Sequence, residues 1–333
     1  MPTSPRANKP GSPPEKGAGL GSGAPAERAR GPVRGPASIR TVDRDRREQA
    51  LVAYLFLLPD VVGLLFFLAL PMLLAVVIGF TNWNVVTAPQ FIGLQNFIRM
   101  ATDPLFAASL GRTLLYTVSF VPTVYLFSLG MAVLLTRRSR SNVIFRTIYF
   151  MPVAMSLLVA GVTWRFLLDP NAGLVNMLLG ALHLPKLQWA GSVQTAMLSV
   201  LIPAIWKNVG YFMIILLAGI QDVPREYIEA ALLDGASPLQ VYRHVILPLL
   251  KPVSFFVVVI LTIGALQTFD QIYVMTRGGP AYATHTLLIY IYEKAFKEWK
   301  LGYAAAMSVA LFALIFILTL IQMRYFRADE RRD

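Results

Sequence analysis

The chain contains no cysteine, which excludes disulfides, thiolate metal sites and thiol catalysis. Histidine is scarce too. His183, His244 and His285 are the three present; they lie far apart and show no metal-ligand spacing, so no metal is expected. No Gly-Lys pair occurs anywhere, so the phosphate-cradling loop of nucleotide hydrolases is missing and ATP hydrolysis is not expected of this chain. No set of nucleophile, base and acid converges in the sequence, and no catalytic residue is assigned. Charge is sparse as well. Charged residues make up 14% of the 333 positions, against roughly 25% in a soluble domain.

What remains is apolar. The chain is 56% hydrophobic, with runs of bilayer length near 51–80, 113–135, 147–168, 195–219, 253–275 and 304–323. Each is expected to be helical, because lipid offers backbone groups no alternative partner. Pro59, Pro71, Pro122, Pro152 and Pro203 fall inside these runs and mark kinks that packed neighbours tolerate. The fold class is therefore an all-α multi-pass membrane protein of six transmembrane helices.

The basic residues set the orientation. Arg40, Arg44, Arg46 and Arg47, then Arg137, Arg138, Arg140 and Arg146, then Arg225, Arg243 and Lys251, then Arg324, Arg327, Arg331 and Arg332 fall on one side. That larger set marks the cytoplasmic face and places both termini inside. A net charge of +12 spread beside apolar spans does not read as a nucleic-acid surface; membrane lipids are the partner it implies. Residues 1–46 are rich in Pro, Gly, Ala and Arg and read as a disordered cytoplasmic tail. After it come the first helix and outer loop (47–110), a transmembrane domain (111–325) with an inward loop over 220–251, and a short C-terminal tail (326–333). Residues 285–300 carry Tyr290, Tyr292, Phe296 and Trp299 among Lys294, Lys297 and Lys300, the composition of a helix lying at headgroup level.

The loop at 220–251 is polar yet strongly helix-specified. Pro224 suits a first helical turn, and Asp222, Glu226 and Glu229 place negative charge at the helix start. Ile228, Ala231 and Leu232 share a face. Gly235 is suited to the left-handed conformation that ends a helix. Ser237-Pro238-Leu239-Gln240 reads as a capping box opening a second short helix. A plain connecting hairpin is the simpler reading, but a short connection would not need such specification. Two short helices joined at a glycine form a rigid knob fitted to helix-in-groove docking.

This segment resembles the cytoplasmic EAA loop of permease subunits of binding-protein-dependent ABC importers. That pattern is Glu-Ala-Ala, three residues, Gly, nine residues, Ile, one residue, Leu-Pro. Glu229, Ala230, Ala231, Gly235, Leu247 and Pro248 match in register, with Asp234 before the glycine and Val245 at the isoleucine position. Further motifs resemble the maltose-type sugar permeases. They include Phe91-Ile92-Gly93-Leu94-Gln95-Asn96-Phe97, Phe145-Arg146-Thr147 with Pro152, Trp206-Lys207 with Gly210, and Gly278-Gly279-Pro280. The resemblance covers roughly 50–325. It implies the MetI-like permease fold, with the loop seated in a cleft of an ATPase subunit. It also implies a second similar permease, two ATP-binding cassette subunits that hold the ATP and magnesium, an extracytoplasmic solute-binding protein, and a bacterial inner-membrane location. The cargo it implies is a sugar, polyol or glycerol phosphate.

Polar residues inside spans are costly and therefore informative. Lys207, Asn208 and Tyr211 lie in the fourth apolar run, and Gln267, Thr268, Asp270 and Gln271 in the fifth. Asn208 and Tyr211 are expected to share one helix face; Gln267, Asp270 and Gln271 are expected to share another. These residues are expected to line a path for a hydroxyl-rich solute, with Trp206 stacking on a sugar face. In resembling permeases the sugar pocket lies on these same two helices. The structural alternative is interhelical hydrogen bonding with a Lys207–Asp270 ion pair. An ion- or proton-coupled secondary transporter would use that pair as coupling groups, but would leave the knob unexplained.

Overall fold

Apolar runs free of backbone breaks become long single helices, and runs that carry a break divide. The computed structural model describes residues 39–137 and 139–330. The chain falls into two compact units, Met1–Gly63 and Leu64–Asp333. Helix α1 (Ile39–Leu64) is followed by a π-helical turn over Leu65–Ala69 and then α2 (Leu70–Gly79). Pro71 offers no N–H to the ladder, and the wider turn just before it absorbs the gap. Because α1 begins at Ile39, the last part of the tail expected over 1–46 is helical. Residues 1–38 lie outside the described residues, as do the side chains of Arg40, Arg44, Arg46, Arg47 and Arg327, and Arg138, Arg331 and Arg332.

The second unit continues with α3 (Gln95–Thr102), α4 (Pro104–Leu134), α5 (Arg140–Phe150), α6 (Leu157–Leu167), α7 (Leu174–Ala181) and α8 (Val193–Gln221). Next come α9 (Arg225–Leu233), α10 (Pro238–Val241), α11 (Leu247–Leu249), α12 (Lys251–Leu266) and α13 (Asp270–Met275). It closes with α14 (Leu287–Tyr292) and α15 (Leu301–Glu330), which carries the helix into the expected C-terminal tail. Among the described residues, four helices are long and apolar enough to cross a membrane: Val52–Gly79, Pro104–Leu134, Val193–Gln221 and Leu301–Phe326. Two bent pairs raise the number to six if each is one span. The protein is thus a nearly all-helical, multi-pass membrane protein.

The expected third and fifth spans are not single helices. Residues 147–168 divide into α5, a 3-10 turn over Met151–Ala154 and α6, with a bend of 102°. Pro152 lacks the N–H that would continue the ladder. Ser156 then caps the new helix by accepting the Val159 N–H at 3.2 Å. The fifth run, expected over 253–275, ends its long helix at Leu266 and resumes at Asp270, so Gln267, Thr268 and Phe269 sit in a break.

One core joins α4, α8, α12 and α13. Tyr116, Phe120 and Val124 pack with Met213 and Leu216, and with Val257 and Ile272. Lipid gives no hydrophobic drive between helices, so close packing and interhelical hydrogen bonds hold them. Ser128 donates to the Val209 carbonyl at 2.9 Å, Tyr125 to Ser254 at 2.9 Å, and the Gln271 amide to the Val200 carbonyl at 2.8 Å.

A second cluster centres on Leu266, Leu287, Tyr290, Tyr303 and Met307. Asp103 anchors it. One carboxylate oxygen caps α4 by accepting the Leu105 and Phe106 N–H groups at 2.9 and 3.3 Å. The other accepts the hydroxyls of Tyr290 at 2.6 Å and Tyr303 at 2.7 Å. The segment 285–300 is therefore not a helix resting on a surface. Leu287, Ile289, Tyr290 and Ile291 are buried, and Phe296 and Trp299 are the aromatics of that segment left exposed. Lys294 and Lys300 pair with Glu298, and Lys297 with Glu293.

Candidate functional site

Two features stand out in the second unit: an elbow between α8 and α12, and a cavity lined by the same two helices. In the elbow, Pro224 is the N-cap of α9 rather than its first helical residue, and Glu226 lies in the first turn. Gly235 has φ +82, in the region where a side chain is strained. The Gly235 N–H reaches the Leu232 carbonyl at 3.1 Å, and the Ala236 N–H reaches that of Ala231 at 3.0 Å. That pair of bonds closes the helix as a Schellman motif. The capping box forms as expected: the Gln240 N–H reaches the Ser237 hydroxyl at 3.4 Å, and the Ser237 N–H reaches the Gln240 side chain at 2.7 Å. A π-helical turn over Tyr242–Ile246 then leads into α11. Pro248 follows it, as Pro71 follows its own π-turn.

The elbow has an inner and an outer face. Ile228, Ala231 and Val245 pack against the core. Leu232, expected on the same face, is half-exposed instead, while Leu233 is 90% and Leu239 75% exposed. Glu229, Ala230, Asp234 and Leu247 are also exposed, and Pro248 is half-buried. The elbow thus presents leucines rimmed by acids, held rigid from behind.

The cavity encloses about 330 Å³. Lys207, Asn208 and Tyr211 of α8 line it, so the expected shared face of Asn208 and Tyr211 is realised. Gln267, Thr268 and Asp270 line it from the break between α12 and α13. They do so through that break, not as a stripe on one helix. Gln271 also borders the cavity, but its amide is spent on Val200. Trp206 is not among the lining residues; its ring meets Trp164 edge-on at 5.7 Å.

Sequence reasoning missed the aromatic wall. Tyr116 and Phe120 of α4 stack at 5.4 Å and line the cavity with Phe269. An aromatic pair four residues apart in an apolar span has the same pattern as core packing, so no signal marked it.

The charges are arranged unevenly. Lys207 donates to the carbonyls of Pro152 at 3.2 Å, Val153 at 3.1 Å and Met155 at 2.5 Å. The Val153 and Met155 carbonyls are left over where the third apolar run breaks, and the ammonium satisfies them; the Pro152 carbonyl also accepts the Met155 N–H at 3.2 Å. The considered Lys207–Asp270 ion pair is absent among the described residues. The Asp270 carboxylate has no hydrogen-bond or ion-pair partner among them. The Asn208 amide donates to the Ala204 carbonyl at 2.8 Å within its own helix.

Comparison with known proteins agrees with this architecture. Residues 109–330 match the family described as binding-protein-dependent transport system inner membrane component. The chain is 36% identical over 288 residues to the probable ABC transporter permease protein YurN of Bacillus subtilis (strain 168), covering 85% of this chain and 98% of that protein. It is 35% identical over 243 residues to the sn-glycerol-3-phosphate transport system permease protein UgpA of Yersinia pestis, covering 73% and 82% of the two chains. It is 32% identical over 282 residues to the sulfoquinovosyl glycerol transport system permease protein SmoG of Agrobacterium fabrum (strain C58), covering 84% and 92%. In fold it is similar to a chain in the crystal structure of a bacterial ABC transporter that imports the acidic polysaccharide alginate. The TM-score is 0.75 at 21% identity, covering 87% of this chain and 99% of that one. With a leucine-faced elbow and a polar cavity built on shared helices, and with these matches over most of its length, the chain belongs to the inner membrane components of binding-protein-dependent ABC transport systems.

Proposed function

We propose that this chain is the permease subunit of an ATP-driven importer for a sugar or a related polyol or glycerol phosphate, set in the bacterial inner membrane with both termini cytoplasmic. A second, similar permease completes the pathway. Two ATPase subunits bind and hydrolyse ATP with magnesium, and this chain carries no catalytic residue or cofactor of its own. An extracytoplasmic solute-binding protein delivers the cargo. The names of UgpA and SmoG support the cargo class, and the cavity's hydroxyl, amide and aromatic lining suits it.

The observation that carries this reading is the elbow. Its leucines are exposed while its other face is locked to the helices that line the cavity. Closure of the ATPases on bound ATP moves Glu229, Ala230, Ala231 and Leu233 with their helix, and α8 and α12 move with it. The absence of native cysteine makes the test direct. Leu233→Cys provides one reactive thiol, and a membrane-impermeant maleimide is applied to intact cells and to inverted vesicles. Labelling is expected in inverted vesicles alone, and co-expressed ATPase should slow it. Labelling of intact cells would put the elbow outside and end the proposal.

A further inference from the structure

We infer that the cavity selects neutral or cationic sugars and rejects anionic ones, with Asp270 as the residue that sets this preference. The inference rests on the reading of the cavity as the solute path and narrows it: of the cargoes proposed above it keeps sugars and polyols and drops glycerol phosphate, which is an anion.

The charge inventory of the cavity is short: among its lining residues only Lys207 and Asp270 are charged. An ammonium has three N–H donors, and those of Lys207 face three backbone carbonyls at 3.2, 3.1 and 2.5 Å. No hydrogen is left to bind a carboxylate or phosphate, and the three carbonyl dipoles oppose the field of the ammonium. Asp270 is the opposite case. Its carboxylate has no partner among the described residues and stands in the first turn of α13, where it offsets the positive end of that short helix.

The remaining polar lining is uncharged. Asn208 gives one amide N–H to its own helix and keeps the other N–H and its carbonyl oxygen for solute hydroxyls. An anionic sugar entering here meets an unpaired carboxylate and a cation with no hydrogen to offer. At a few ångströms in a partly screened site, like charges cost enough to change affinity about tenfold. This sets the chain apart from UgpA, from SmoG, whose sulfoquinovosyl cargo carries a sulfonate, and from the alginate importer; the names of all three give anionic cargo.

The test uses the full chain assembled with its partner permease and ATPase subunits in lipid nanodiscs at low salt, where charge effects are least screened. D-glucose, D-glucosamine and D-glucuronate share one ring and differ in charge. Their binding is titrated by saturation-transfer NMR against wild type, Asp270→Asn, Asp270→Lys and Gln267→Leu. Wild type is expected to bind glucuronate about tenfold more weakly than glucose, and glucosamine at least as tightly. Asp270→Asn should bring the three within about twofold, and Asp270→Lys should reverse the order. Asp270 has no partner to lose, and equal melting temperatures check that these variants fold. Gln267→Leu should weaken all three sugars.

If glucuronate binds as well as glucose while Gln267→Leu still weakens both, the charge inference falls and the cavity reading stands. Discrimination that persists in Asp270→Asn also overturns the inference. If no sugar binds, or Gln267→Leu changes nothing, the cavity is not the solute path and both readings fall.

Discussion

At the scale of single residues, two side-chain positions on α8 hold the bend in the third apolar run. Gly210 lets the bent backbone lie directly on the helix: a Cβ there would sit 1.8 Å from the Tyr149 carbonyl oxygen and 3.1 Å from the Phe150 Cα. These are backbone atoms, so nothing flexible can yield. Three positions earlier, Lys207 closes the carbonyls that the bend exposes. Gly210→Ala should cost about 1–3 kcal/mol by overpacking. Lys207→Met should cost at least as much, since the Val153 and Met155 carbonyls would lose their partner and a buried carbonyl left unpaired costs about 1–3 kcal/mol. Lys207→Arg should recover most of that loss. Melting temperatures of the purified chain in one detergent check all three variants. A Gly210→Ala protein that melts with wild type would mean that the bend is free to move off α8. Both residues act on one bend, so the double variant should be less destabilised than the two costs added.

At the scale of elements, the Asp103 cluster ties α4, α14 and α15 together through one carboxylate. Burial works to raise the Asp103 carboxyl. The hydrogen bonds from Tyr290, Tyr303, Phe106 and Leu105 outweigh it and hold the group below the usual carboxylate range. Glu293 is also held low: burial raises it, and the bonds from Lys297 and His285 outweigh that. A depressed carboxylate stabilises the folded state fully above its unfolded value of about 4 and loses that contribution as pH falls through the folded value. The melting temperature should therefore drop as the pH is taken below about 4. Asp103→Asn keeps a competent N-cap but no titratable group, so its acid loss should be the smaller one. An unchanged acid slope in Asp103→Asn would assign the effect to other carboxylates. How much could be read in the sequence divides at this same scale. The first, second, fourth and sixth spans were legible because length and hydropathy suffice for an unbroken helix. The elbow was legible because Gly235 and the Ser237–Gln240 box act locally. That the kink expected at Pro152 is a full end and restart of the helix was not, nor was the break at Gln267. A proline inside an apolar run reads alike whether it kinks or ends a helix, and only the partner surface of α8 decides which. The aromatic wall escaped for the same reason, because tertiary packing alone turns Tyr116 and Phe120 toward the cavity.

At the scale of the whole second unit, the elbow and the cavity are joined by short stretches of rigid helix. α8 carries Asn208 and Tyr211 and runs to Gln221, a few residues before α9 begins. α12 begins two residues after α11 ends and carries the chain to Gln267. Under the proposed function, motion applied to the leucine face reaches both walls of the cavity through these short connections. This layout separates transport from assembly. Gln267 is exposed to the cavity and Asn208 bonds only within its own helix, so replacing either with Leu removes little that holds the fold. Substitutions away from such supports usually stay within about 0.5 kcal/mol. Asn208→Leu and Gln267→Leu should therefore insert, melt and co-purify with the ATPase as wild type does, while ATP-driven uptake into proteoliposomes falls about tenfold or more. Gly235→Val is the converse. Nothing crowds a Cβ there, but a β-branched residue is strained at that positive φ, so the elbow should lose its shape and ATPase binding should fail with the cavity intact. Uptake retained in Asn208→Leu and Gln267→Leu would leave the elbow without a pathway to drive. Uptake lost through the cavity in one set, and through the elbow in the other, is the pattern expected of two sites that move as one body.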